Sequence, residues 1–160
     1  MSASSALTDR PNEKFSLSVR AEDADFNRAQ PPYPHWKVFA NSKLLGEIQS
    51  SNEAIAILTD VAIEKPGAYQ ILVRSADGRI QGEGNPILVS ATHPRIFWGD
   101  THGHSGFAEG IGTPDRFMQW AKEDARLDFV THSEHDIWTD DYEWNVLKEN
   151  VEQYSEIGRA

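Results

Sequence analysis

The sequence predicts a β-sandwich-like N-terminal domain followed by the first βαβα units of an α/β domain. Short runs of alternating apolar and polar residues, separated by turn residues, fill residues 12–92. Helical spacing of apolar residues begins only at Thr113. With 160 residues, 39% of them hydrophobic, the chain is long enough for one good core or two small domains.

The first domain is expected to consist of short strands. They are residues 15–20, 36–40, 44–48, 54–63, 68–74, 79–84 and 87–89. Pro66 and Gly67 supply turn chemistry, which predicts a hairpin between residues 54–63 and 68–74. Many short strands with turns between them are typical of a sandwich of immunoglobulin-like character over residues 12–92. Residues 1–11, polar and without periodicity, are expected to form a flexible terminus.

The pattern changes near residues 91–94, and an α/β part is expected over residues 95–160. Residues 96–98 are continuously apolar, which is typical of a strand covered on both faces, and residues 127–130 are the next predicted strand. Strand, helix, strand and helix in succession predict two adjacent parallel strands joined by a right-handed crossover.

Two helices are expected after these strands. Thr113 before Pro114 is a good N-cap, and Asp140 with Glu143 three residues later resembles a capping box. Four tryptophans of this half are expected in its core: Trp98, Trp120, Trp138 and Trp144.

The net charge of −10 is unevenly spread. Residues 1–95 hold 10 Lys and Arg against 11 Asp and Glu, whereas residues 96–160 hold 5 against 14. Because nucleic-acid binding depends on Lys and Arg, we expect no nucleic-acid partner. No run approaches the ~20 apolar residues of a membrane span, and the start lacks the apolar region of a secretory signal, so we expect no membrane partner and a cytoplasmic location. With no cysteine, any metal must be held by imidazole and carboxylate.

Two histidine clusters follow the two predicted strands of the second half. His102 and His104 are two residues apart, so in an extended segment they project to the same side and can chelate one ion. In the second cluster His132 and Glu134 face one way and His135 the other. Because the carboxyl ends of parallel strands meet at one edge, the two clusters predict a shared metal site.

Glu109 lies in a glycine-rich loop after the first cluster, where the backbone can approach an ion closely. The predicted metal ligands are therefore His102, His104, Glu109, Glu134 and His135. His132 is expected to be either a hydrogen-bond donor to a ligand or a core histidine. Asp100 and Asp136 are expected to cap turns. No catalytic residue is assigned.

Three stretches resemble motifs one and two of the polymerase and histidinol phosphatase (PHP) superfamily. They are Gly-Asp-Thr-His-Gly-His-Ser, Ala-Glu-Gly-Ile-Gly-Thr-Pro-Asp-Arg-Phe and Leu-Asp-Phe-Val-Thr-His-Ser-Glu-His-Asp. The chain is more narrowly similar to the branch of unknown function whose long members place a β-domain before the PHP part.

The resemblance implies a PHP-type distorted β/α barrel with two or three Zn²⁺, Mn²⁺ or Fe ions at its strand ends. His102 and His104 would serve one ion, while Glu109 and His135 would share another. The superfamily more often has aspartate at the positions of Glu109 and Glu134.

The activity that the resemblance implies is metal-dependent hydrolysis, with a small-molecule phosphoester as substrate. The later ligand motifs of the superfamily would lie beyond Ala160, so we expect an N-terminal fragment with little or no turnover by itself. The alternative is a β-sandwich binding module, residues 12–92, that carries a vestigial α/β tail.

Overall fold

The structure, a computed structural model, describes residues 2–4, 8–25 and 27–155. The protein is mostly β-sheet with a few short helices. The chain divides into two compact units, Met1–Ile96 and Phe97–Ala160. Among the described residues, the helices are all too short or too polar to cross a membrane.

The described part of the first unit contains ten strands. They are β1 (Ser2–Ser4), β2 (Thr8–Asp9), β3 (Phe15–Arg20), β4 (Trp36–Ala40), β5 (Lys43–Ile48), β6 (Ile55–Val61), β7 (Gly67–Tyr69), β8 (Ile71–Ser75), β9 (Gln81–Glu83) and β10 (Ile87–Val89).

These strands form three sheets. Strand β3 pairs antiparallel with β1 and β6, while the antiparallel order β5-β4-β8-β9 makes a second sheet. In the third sheet β10 pairs parallel with β2 and antiparallel with β7. The described part of residues 1–11, a range expected as a flexible terminus, thus contains two short strands, because the free N–H and C=O groups of a sheet edge can pair with an extended segment.

One apolar core joins the three sheets. Trp36, Val38 and Ala40 are buried at alternate positions of β4, as the period of a strand requires. Leu17 of β3 and Ile71 of β8 are fully buried in the same core. Burial of a Leu or Ile side chain stabilises the fold by about 1.5–3 kcal/mol, so this core holds the unit together. Its immunoglobulin-like character stays a prediction.

The hairpin predicted between residues 54–63 and 68–74 is wrong. Strand β6 pairs with β3, β7 with β10, and β8 with β4 and β9. The chain changes sheets at Gln70, whose backbone N–H donates to the Asn41 side-chain oxygen (2.9 Å). The Gln70 carbonyl accepts from the Asn41 N–H at 2.8 Å. Turn residues favour a change of direction, but they do not select the strand with which each segment pairs.

The second unit has a parallel pair of strands and two helices. Its elements are β11 (Gly99–Gly103), α1 (Pro114–Gln119), a π-helical segment (Trp120–Asp124), β12 (Phe129–His132) and α2 (Asp141–Tyr154). Strands β11 and β12 pair in parallel, which fits the expected succession of strand, helix and strand. The wider PHP-type barrel stays a prediction.

Both strands of the second unit begin later than predicted. Residues 96–98 are not a buried strand, since Ile96 is 46% exposed and Trp98 53% exposed. Asp128 binds Trp98 instead: its backbone N–H donates to the Trp98 carbonyl and its carboxylate accepts from the Trp98 N–H, each at 2.7 Å. Strand β12 lies two residues further along than predicted, so it includes His132.

The two predicted helix starts are confirmed. Thr113 caps α1, with its hydroxyl oxygen accepting from the Arg116 N–H at 3.2 Å. Asp140 accepts from the Glu143 N–H at 2.8 Å, and the Glu143 carboxylate accepts from the Asp140 N–H at 3.2 Å. These bonds satisfy N–H groups that have no partner within a helix, so the sequence sets where each helix begins.

Polar contacts join α2 to the start of α1. The buried Asn150 amide donates to the Pro114 carbonyl at 3.1 Å and accepts from the Asp115 N–H at 3.3 Å. The Tyr154 hydroxyl donates to the Asp115 carboxylate at 2.8 Å, and this hydrogen bond raises the pKa of Tyr154. The start of α1 is therefore fixed from two positions on α2.

Candidate metal centre

The two histidine clusters meet because β11 and β12 are parallel and end together. Gly103 lies opposite His132 in the register. The Ser133 backbone N–H donates to the Gly103 carbonyl at 2.9 Å, and the Ser133 hydroxyl donates to the same oxygen at 3.3 Å. The chain that leaves β11 is thereby held against the chain that leaves β12, as the strand-end argument predicts.

Three predicted ligands form one group. His104, Glu109 and His135 offer ligand atoms that all lie within 4.8 Å of one another. The His135 Nε2 and Glu109 Oε1 atoms are 3.3 Å apart, and the His104 and His135 ring centroids are 4.8 Å apart. Atoms that bind one ion at about 2 Å lie at most about 4 Å apart, so a small inward movement would bring all three onto a shared ion.

Close backbone packing brings Glu109 to the strand ends. The Gly110 N–H donates to the Ser105 carbonyl at 2.9 Å, and the Gly106 N–H donates to the Gly112 carbonyl at 2.7 Å. A Cβ atom at Gly110 would lie only 2.2 Å from the His104 carbonyl oxygen. The loop can therefore approach β11 this closely because residue 110 has no side chain.

His102 lies beside His104. Their Nε2 atoms are 2.9 Å apart, and their rings are tilted by 42°. Two imidazole nitrogens this close can share a proton or bind one ion. The Nδ1 atom of His104 is buried and has no hydrogen-bond partner among the described residues. The pair thus lies together as the two-residue spacing predicts, and His104 belongs both to it and to the three-ligand group.

Glu134, predicted as a metal ligand, is buried instead of lying beside His135 at the surface. Its side chain is 2% exposed, and Oε1 accepts from the Ser105 N–H at 2.6 Å. The hydrogen bond joins the segment after β12 to the segment after β11. The structure therefore brings together four of the five predicted ligands at the strand ends and places Glu134 in the interior beside them.

His132 is buried next to Glu134. Its side chain is 4% exposed, and its Nε2 atom lies 3.7 Å from Glu134 Oε1. The imidazole stacks on Phe117 of α1, with centroids 4.5 Å apart and planes 14° apart. Burial lowers the pKa of His132; the Glu134 carboxylate opposes this effect and the nearby His104 adds to it. The neutral ring is therefore favoured.

Aromatic residues near the site are placed differently from prediction. The tryptophans expected in the core are about half exposed: Trp98 53%, Trp120 42%, Trp138 54% and Trp144 57%. Trp138 meets the His135 ring edge-on at 4.9 Å. No sequence pattern indicates this contact or the stacking of Phe117 on His132, because both depend on tertiary packing. Asp100 caps a turn as expected, accepting from the His102 N–H at 2.9 Å.

A cavity of about 570 Å³ lies between the end of β12 and α2. Its lining includes His132 and Glu134 and an apolar wall from α2 formed by Trp144, Leu147 and Val151. The cavity is large enough for a small ligand, and it adjoins the buried side of the second histidine cluster.

The chain matches no model of a known protein family. It is similar to an uncharacterised protein of Chlamydia muridarum, with 24% identity over 136 residues, which cover 79% of this chain and 21% of that protein. Among solved structures it is similar to a carbohydrate acetylesterase from Xanthomonas citri, with a TM-score of 0.35 and 12% identity over 64% of this chain and 19% of the other. The chain thus spans about a fifth of the length of the proteins it matches.

Proposed function

We propose that the second unit carries part of the site of a metal-dependent hydrolase of the PHP type that acts on phosphoesters. The observation that supports it best is the group formed by His104, Glu109 and His135, whose ligand atoms lie within 4.8 Å of one another. The parallel pair β11 and β12, with α1 between them in sequence, is consistent with the start of a PHP-type β/α barrel. We also propose that the first unit is an immunoglobulin-like domain.

The ligand types suit the metals that the resemblance implies. Imidazole and carboxylate bind Zn²⁺, Mn²⁺ and Fe, and two histidines with one glutamate are a ligand set that leaves a coordination position open in catalytic zinc sites. A bound metal would lower the pKa of a water molecule and polarise a phosphoryl oxygen. His104, Glu109 and His135 would hold one such ion, with His102 beside His104.

The chain's own residues organise this site before any ion binds. The Glu134 carboxylate and the Ser133 N–H tie the ends of the two strands together through Ser105 and Gly103. Trp138 covers one edge of the His135 ring. Ligands held in place in this way lose less conformational freedom on binding, which favours metal affinity.

Equilibrium dialysis with Zn²⁺ or Mn²⁺ tests the metal site. We expect His135→Ala and Glu109→Gln each to lower metal affinity at least tenfold, since each removes one of three ligands. His93→Ala is the matched control, because His93 is exposed and lies in the first unit. Equal affinity in the wild type and His135→Ala would contradict the proposal.

Phosphate binding tests the substrate class independently of turnover. In the presence of Mn²⁺, calorimetry should detect binding of inorganic phosphate that disappears when the metal is chelated or His135 is replaced. Acetate at the same concentration serves as the comparison, because it represents a carboxylic ester product. Metal-dependent binding of acetate but not of phosphate would overturn the phosphoester assignment.

A further inference from the structure

His132 and Glu134, two residues whose side chains can bind a metal ion, lie buried at the end of β12. His132, the last residue of β12, and Glu134 are two residues apart, and their side chains lie side by side in the interior. Their side chains are 4% and 2% exposed, compared with 39% for His135 and 66% for its neighbour Glu109. The two pairs therefore belong to different environments, one in the interior and one at the surface.

The buried pair is not satisfied by the protein. Both ring nitrogens of His132 and the Oε2 atom of Glu134 are buried without a hydrogen-bond partner among the described residues. A buried polar atom left in this state costs about 1–3 kcal/mol, and buried groups of this kind are normally paired. Three such atoms on two adjacent side chains indicate a position that a ligand would complete.

The position also has a defined geometry. Stacking on Phe117 fixes the plane of the His132 ring, and the Ser105 N–H holds one oxygen of Glu134 while leaving Oε2 unpaired. His132 Nε2 lies 3.7 Å from Glu134 Oε1, the oxygen that also accepts from the Ser105 N–H. Two ligand atoms that each lie about 2.0–2.2 Å from one ion have a separation of this size.

The charge around the pair favours a cation. The neighbouring cavity includes one basic residue, Lys148, among its lining. The acidic residues that line it are Glu134, Asp136, Asp140, Asp141 and Glu152. A positive ion here would gain from this field as well as from direct contact with the Glu134 carboxylate.

We propose that His132 and Glu134 bind a divalent cation such as Zn²⁺ or Mn²⁺ at a site of their own, distinct from the group of His104, Glu109 and His135. Water from the adjoining cavity would supply the remaining ligands. The inference rests on the buried pair alone and does not require the hydrolase function.

Counting bound Zn²⁺ by equilibrium dialysis and elemental analysis tests the second site. His132→Phe keeps a ring against Phe117, and Glu134→Gln keeps an acceptor for the Ser105 N–H, so both preserve the local packing. We expect each variant to bind one equivalent fewer than the wild type. His135→Ala should lose a different equivalent, and His132→Phe combined with His135→Ala should lose both.

The outcomes separate the two sites. Wild-type stoichiometry and affinity in both His132→Phe and Glu134→Gln would overturn the second site, whatever His135→Ala does. Loss of an equivalent in those two variants, with no effect of His135→Ala, would support the second site and contradict the proposed hydrolase centre.

Histidine-selective NMR of the wild type provides a measurement that does not depend on the folding of a variant. Zn²⁺ should shift the ring nitrogen resonances of His132, which are identified by sequential assignment of the wild-type spectrum. An unchanged His132 spectrum at saturating Zn²⁺ would refute the site.

Discussion

Replacement of Gly110 by alanine tests whether close loop packing holds the metal centre together. The new Cβ would lie 2.2 Å from the His104 carbonyl oxygen and 2.9 Å from the Ser105 carbonyl oxygen. Real Cβ contacts are almost never under 3.0 Å, so the loop must move by at least 0.8 Å, the difference between 3.0 and 2.2 Å. Backbone atoms at the end of a strand cannot rotate away as a side chain can, so the movement falls on Glu109 and its neighbours.

The expected size of the effect follows from this displacement. Overpacking costs about 1–3 kcal/mol of unfolding free energy. Metal ligands must lie within about 0.2 Å of their ideal distances, and disturbing the support of a ligand typically lowers metal affinity about 10–100-fold. Gly110→Ala should therefore weaken Zn²⁺ binding by about 1.4–2.8 kcal/mol.

Isothermal titration with Zn²⁺, together with thermal unfolding, measures both effects. Ile111→Ala is the matched control in the same loop, because Ile111 is 98% exposed and its side chain supports nothing. Wild-type Zn²⁺ affinity in a folded Gly110→Ala protein would refute the reasoning, as would an equal loss in Ile111→Ala.

Three further substitutions test the fold. Leu17→Ala, at a fully buried position, should lower the unfolding free energy of the first unit by about 2–5 kcal/mol in urea denaturation; a change below 1 kcal/mol would contradict the assigned core. Asp140→Ala should cost about 1 kcal/mol through loss of the cap on α2, measured by circular dichroism on heating, and an unchanged transition would argue against the capping box. The hydrogen bond from the Ser75 hydroxyl lowers the pKa of Asp77. Because such a carboxylate stabilises the fold above its unfolded pKa of about 3.9 and loses this contribution as pH falls through its folded pKa, Asp77→Asn should flatten the acid limb of a stability-against-pH curve; an identical limb would exclude the effect.

Local signals in the sequence predicted much of the fold. Thr113 and Asp140 fix the helix starts because capping depends on residues within a single turn. The strands of the first unit follow from alternation, as Trp36, Val38 and Ala40 illustrate. Strand pairing could not be predicted in the same way, since the change of sheet at Gln70 depends on a contact with Asn41, 29 residues away. Contacts between residues of different elements produce no periodic pattern in the sequence.

The spacing of the histidines and their position at strand ends predicted the candidate site. They predicted only in part that His132 and Glu134 would be buried while Glu109 and His135 are exposed. The spacing of His102 and His104 and the position of His135 depend on the parallel strands, which the βαβα pattern implied. The interior position of Glu134 could not be predicted, because it is set by the Ser105 N–H of the other strand end. The burial of His132 likewise follows from the later start of β12 and from Phe117, neither of which the apolar run indicates.

The π-helical segment Trp120–Asp124 has a consequence for variation in chain length. The Ala125 N–H donates to the Trp120 carbonyl at 2.9 Å, five residues back, whereas an α-helix closes over four. The segment accommodates one residue more than an α-helix would use over the same rise. A homologous chain that lacks a single residue there could form an unbroken helix and still deliver Phe117 and His132 to the same places, so sequence comparisons should tolerate a one-residue gap at this point without shifting the motifs on either side.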